Sequence, residues 1–164
     1  MIIRIGKLQL RAYATILEKR TGICSQKDTR EDKHALLIDF DNSSISTIIN
    51  SLSSLQEKYK LPAIYIIASS KHSYHAYCFT ARKFMEIVHI LSDISEIDGS
   101  YFRLGIVRGY YTLRITSRKG DKFKLVKTLL SPYFNEISPN SLTVSEYLTS
   151  NKGKMRKGGK NAKR

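Results

Sequence analysis

Ala35-Leu-Leu-Ile-Asp-Phe-Asp41 constrains this chain more than any other stretch. A short, mostly apolar run of this kind reads as a buried strand. Strand side chains alternate, so its two terminal acids, Asp39 and Asp41, point to one face. Aligned carboxylates suit hard divalent cations, which take oxygen ligands and commonly also hold phosphate oxygens. Further along, Ser73-Tyr-His75 opens a second apolar run, His75-Ala-Tyr-Cys-Phe79. A histidine that starts a neighbouring strand could reach the phosphate of an incoming nucleotide. The two motifs together point to nucleotidyl chemistry.

The rest of the pattern supplies a fold for them. Leu10, Tyr13, Ile16 and Leu17 fall at helical spacing within 7–20, with Gly22 placed as a stop. Residues 25–33 are polar and read as a connector. After the 35–41 strand, Asn42 or Ser43 can cap a helix with the stripe Ile45, Ile48, Ile49, Leu52 and Leu55, ending near Tyr59. Strands are expected at 63–68 and 75–80, joined by a polar loop over 69–74. A second helix over 82–94 would bury Phe84, Ile87, Val88 and Leu91. A less regular stretch leads to a fourth strand at 110–117; 121–131 is ambiguous between helix and strand, and 141–148 reads as a short helix.

The core order is β-α-β-β-α-β, an α+β fold of the split βαβ kind found in ferredoxin-like and RNA-recognition-motif (RRM) domains. In that topology the first and third strands lie side by side, antiparallel, and the fourth flanks the first. Asp39 and Asp41 would then lie beside His75. Leu36, Ile38 and Phe40 would face the helices, leaving Asp39 and Asp41 on an open face with His75, Tyr77 and Phe79. The expected organisation is an N-terminal helix and connector (1–34), the RRM-like core (35–118), a C-terminal extension packed on it (119–150) and a disordered basic tail (151–164).

Charge narrows the partner. The 164 residues carry 28 Lys and Arg against 14 Asp and Glu, a formal net charge of +14, which favours a polyanion. Half of that excess lies in the final segment, which includes Lys152, Lys154, Arg156 and Lys157 and has almost nothing to bury. Without an amphipathic basic helix, single-stranded DNA or RNA is favoured over an anionic membrane. No apolar run approaches the ~20 residues of a membrane helix, and the N-terminus does not read as a secretion signal. Cys24 and Cys78 fit neither a disulfide framework nor a zinc site, as expected of thiols in a reducing cytoplasm.

On these motifs, 35–118 resembles the archaeo-eukaryotic primase (primase-polymerase) superfamily. Its RRM-like catalytic core carries a hydrophobic strand ending Asp-x-Asp, a Ser-x-His opening a later strand, and a third strand that usually offers another Asp. Leu37-Ile-Asp39-Phe-Asp41 is similar to the first motif and Ser73-Tyr-His75 to the second. The resemblance implies that Asp39 and Asp41 hold Mg²⁺ or Mn²⁺ for a nucleoside triphosphate and a primer hydroxyl. It also implies that His75 and Ser73 contact the nucleotide's phosphates. The third motif departs: Tyr111-Thr-Leu-Arg-Ile offers Arg114, and Asp98 lies in the preceding loop.

Two readings follow. One is a primase-superfamily protein of DNA replication with metal-dependent nucleotidyl transfer, working with other replication or primase subunits. The other is a non-catalytic accessory subunit or RRM-like nucleic-acid-binding module. The intact Asp-x-Asp and Ser-x-His favour the first; Arg114 in place of a carboxylate and the short chain favour the second. Tyr77 and Phe79 could stack bases. Among Arg103, Arg108, Arg114, Arg118 and Lys119, at least one of Arg108 and Arg114 is expected to bind phosphate.

Overall fold

The computed structural model describes residues 2–5, 8–11, 17–28, 31–115 and 123–150. The chain divides into two units, Met1–Arg20 with Glu146–Arg164, and Thr21–Ser145. In the first, β1 (Ile2–Ile5) and β2 (Leu8–Arg11) form an antiparallel hairpin, with Ile3 opposite Leu10. The expected helix over 7–20 is therefore corrected: β2 and β3 (Leu17–Cys24) are strands. Leu8-Gln-Leu-Arg11 alternates as a strand does, and its partner strand β1 is close by in sequence, so local pairing overrides the helical spacing. Gly22 ends no helix; it lies within β3 opposite Arg114. The basic tail lies outside the described residues.

The second unit is an α+β fold. Its strands are β4 (Gln26–Asp28), β5 (Glu31–Asp41), β6 (Ile64–Ser70), β7 (Ser73–Arg82), β8 (Thr112–Arg114) and β9 (Lys124–Leu129). The helices are α1 (Ile45–Tyr59), α2 (Phe84–Ser92) and α3 (Gly99–Arg108), and a final strand β10 (Val144–Ser150) begins in this unit. The principal sheet has the order β4-β5-β7-β6-β9 and is antiparallel throughout. As expected, the strands carrying the two motifs are neighbours at its centre. No described helix is long and apolar enough to cross a membrane.

Helix α1 begins where Ser44 accepts the Thr47 N–H at 3.2 Å, one residue past the expected caps. Ile48, Leu52 and Leu55 are buried from α1, and Ile87, Ile90 and Leu91 from α2. They share one core with Leu36, Ile38 and Phe40 of β5 and Ile64 and Ile66 of β6. Cys78, on β7, lies fully buried in the same core with its Sγ against the Pro62 carbonyl.

Several boundaries differ from the sequence reading. The connector at 25–33 is largely the β4–β5 hairpin; an edge strand can be polar because it packs on one side only. The loop expected at 69–74 shrinks to a turn at Lys71-His72. The short helix expected at 141–148 is instead β10, which follows a 3₁₀ turn at Pro139–Ser141; Thr143 accepts the Cys24 N–H at 2.8 Å. The ambiguous 121–131 contains β9, at the outer edge beside β6.

The largest correction concerns the fourth strand. Thr112–Arg114 pairs with β3 in a separate sheet of order β10-β3-β8, and β4 flanks β5 instead. Beyond the short β4, the start of α3 meets β5: the Leu37 carbonyl accepts the Tyr101 hydroxyl at 2.8 Å, and the Asp39 carbonyl accepts the Asp98 N–H at 2.9 Å. Helix α3 falls in the stretch read as less regular, which hid its two end signals. Asp98 caps it by accepting the Tyr101 N–H at 2.6 Å, and Gly109 closes it at φ 77°. Gly105 lets it seat on Tyr111: a Cβ there would collide with the tyrosine ring.

Candidate functional site

The antiparallel register of β5 and β7 places Asp39 opposite His75 and Asp41 opposite Ser73. Directly opposed strand residues are near neighbours, and the side chains confirm it: His75 Nε2 lies 3.5 Å from Asp39 Oδ1. Asp41 is exposed at the strand end, Ser73 is half-buried, and the Asp39 side chain is 27% exposed. The two sequence motifs thus meet along one strip that runs from buried to open.

The face was expected to be open, and at His75 it is not. His75 is 4% exposed and Tyr77 8%. The imidazole packs against the Phe123 ring at 5.7 Å between centroids, and its Nδ1 lies 3.3 Å from the Tyr77 hydroxyl. The Arg114 guanidinium stacks over Phe123, 5.5 Å from the ring centroid. In sequence Phe123 stands in a polar and basic stretch, which reads as surface. Burial, and secondarily the positive charge of Arg114, push the His75 pKa down to about 4. The imidazole is therefore neutral at pH 7.

The remaining residues scatter. Phe79 is half-buried against Tyr65, at 5.8 Å between ring centroids, so of the two expected stacking rings one is buried and the other partly covered. Arg114 joins the His75 surroundings. Arg108 is exposed in the last turn of α3, where it borders a shallow hollow with Leu104, Tyr110 and Thr112, none of them from the two motifs. Arg103 is exposed on the same helix; Arg118, Lys119, Lys152, Lys154, Arg156 and Lys157 lie outside the described residues. Asp98, the candidate substitute for the third carboxylate, spends its Oδ1 on the α3 cap.

Among the described residues, no three His, Cys, Asp or Glu side chains gather as a metal set. Two carboxylates on one face still meet the needs of Mg²⁺, which commonly takes one or two protein carboxylates and completes its shell with water and substrate phosphates. The donor set fits a cation shared with a phosphate ligand, not a cage built by the protein alone.

Sequence reasoning missed a second histidine–acid pair on β5. His34 is 2% exposed, its Nδ1 lies 3.0 Å from Ser25 Oγ, and its Nε2 lies 3.4 Å from Asp32 Oδ1. The Ser25 hydroxyl also accepts the Tyr111 N–H at 3.0 Å, and Asp32 accepts the Phe84 N–H at 2.9 Å. Serine, histidine and aspartate in line resemble a hydrolytic triad, but Ser25 is fully buried. Its hydroxyl is committed to the fold, so the cluster is an internal joint. In sequence, its parts lie in the segment read as a connector and in the fourth strand.

No family model, curated protein or solved structure matches this chain.

Proposed function

We propose that this chain is a primase-superfamily protein of DNA replication that binds single-stranded or primed nucleic acid. In this reading Asp39 and Asp41 hold Mg²⁺ or Mn²⁺ against the phosphates of a nucleoside triphosphate. Its core would be RRM-like, with β5-α1-β6 as the split βαβ unit around β7. The observation that carries the reading is the strand register, which sets Asp39 against His75 and Asp41 against Ser73. Residues far apart in sequence, named for one chemistry, meet on one strip.

In such a site the bound cation supplies charge neutralisation for the phosphates. Asp39 and Asp41 contribute the anionic oxygens, with Asp41 on the accessible end. His75 is neutral, so it offers one N–H and no positive charge. Positive charge for a phosphate comes from Arg114 beside it.

A second reading, an accessory nucleic-acid-binding subunit without catalysis, is favoured by one observation: His75 lies covered beneath Phe123. Calorimetric titration with Mn²⁺, followed by primer extension, tests both readings. Binding lost in Asp39→Ala/Asp41→Ala together with nucleotide incorporation supports the enzyme. Metal binding without incorporation supports the accessory subunit. Equal metal binding by wild type and double variant would sink the metal site in either form.

A further inference from the structure

We propose that the outer edge of β9 is a docking site for an extended, acidic and apolar segment of a partner protein, added as a further strand to the sheet. Strand β9 pairs with β6 on one side and ends the five-stranded order, so among the described residues no strand covers its other side. Such an edge presents backbone donors and acceptors to an incoming chain.

The side chains say what kind of strand fits. Leu125 is 55% exposed and Val126 41%, and just past the strand Leu130 is 84% and Phe134 91% exposed. Single exposed apolar residues are ordinary, but Leu125 and Val126 exposed on an edge strand that no described strand covers, with exposed Leu130 directly after it and Phe134 in the segment that follows, mark a candidate interaction surface. Lys124 and Lys127 are exposed among them. Lysines on an edge discourage pairing with a like-charged copy, and a chain of net charge +14 sharpens that repulsion. The same lysines attract acidic side chains. A nucleic acid would satisfy the lysines while leaving the edge N–H and C=O groups without a ladder. An acidic strand with alternate apolar residues satisfies the backbone, the lysines and the apolar run together. This inference uses none of the Asp39–His75 strip and stands apart from the proposed function.

The probe is a fluorescent peptide of about seven residues alternating glutamate and valine, titrated against the full chain by anisotropy. It should bind, and N-methylation of alternate peptide N–H groups on one edge should abolish binding, as should replacing its glutamates with lysine. Lys124→Glu/Lys127→Glu and, separately, Leu130→Ser/Phe134→Ser should each weaken binding about tenfold or more. Because all four residues are exposed, thermal midpoints should stay near wild type. Absence of binding, equal binding of the N-methylated peptide, or displacement by a single-stranded oligonucleotide would overturn the proposal. So would a concentration-dependent dimer that blocks the peptide.

Discussion

Two histidine–aspartate pairs flank strand β5, one within it and one shared with β7, and they differ in what surrounds them. At one end Asp32 meets His34, and the imidazole is locked by Ser25 inside a joint of strand, helix and loop. At the other end Asp39 meets His75, and the strip runs on to the exposed Asp41. Both imidazoles are buried and both have lowered pKa values, with burial the first cause in each. Similar titration therefore does not distinguish a structural pair from a functional one. The distinction lies in the groups beyond each imidazole. At His34 it is the buried Ser25 hydroxyl, itself bonded to the Tyr111 backbone, although Asp32 is exposed; at His75 it is the half-buried Asp39, with the exposed Asp41 two residues on.

The largest test is acid. A histidine whose folded pKa is lowered stays neutral while the unfolded chain, titrating near 6.5, takes up protons. Stability from His75 is thus full above 6.5 and lost as pH falls toward about 4. Fully developed, that loss is about 3 kcal/mol, and His34 adds to it in the same direction. Urea unfolding at pH 7 and pH 4.5 should show a smaller acid loss in both His34→Gln and His75→Gln than in wild type. An unchanged loss in either variant would remove that histidine from the comparison.

Next in size are the truncations. His34→Ala and His75→Ala should each cost about 1–3 kcal/mol at pH 7, since both leave buried polar neighbours short of a partner. Only His75→Ala should also alter Mn²⁺–nucleotide titration. A change of equal size in His34→Ala would erase the functional difference between the two ends.

Gly105→Ala attacks the enclosed end indirectly. The new Cβ collides with the Tyr111 ring, whose backbone N–H donates to Ser25 beside His34. Overpacking of this kind costs about 1–3 kcal/mol, partly offset by the roughly 0.5–1 kcal/mol helix advantage of alanine. Chemical denaturation should report a net loss with metal binding intact. The smallest stability effect is expected at the open end: Asp41→Ala should change folding by no more than about 0.5 kcal/mol, yet abolish the Mn²⁺ signal. A large stability loss there would make Asp41 part of the fold.

What the sequence disclosed follows from how locally each feature is encoded. The Ile48, Leu52 and Leu55 stripe announced α1 because a helix buries one face at a fixed period. The placing of β5 beside β7 was legible because a strand, a helix and two further strands in that order leave few topologies, and the split βαβ one sets the first and third strands side by side. The site face was not legible, since Phe123 reaches His75 from a basic segment with no period of its own. The β8 error has a similar cause: alternation at 110–117 marks a strand without saying which neighbour it pairs with. The N-terminal strands were missed because a few apolar residues at helical spacing also occur in sequences that pair.

Cys78 gives this molecule a clock. Its thiol sits on the central strand β7, with burial pushing its pKa up to about 12, and only the thiolate reacts with alkylating reagents. While the sheet holds, the sulfur is both hidden and protonated. Modification must wait for the core that α1 and α2 close over β7 to open. The labelling rate at Cys78 in native buffer therefore counts openings of the core beneath the sheet that joins both histidine pairs, without any engineered probe.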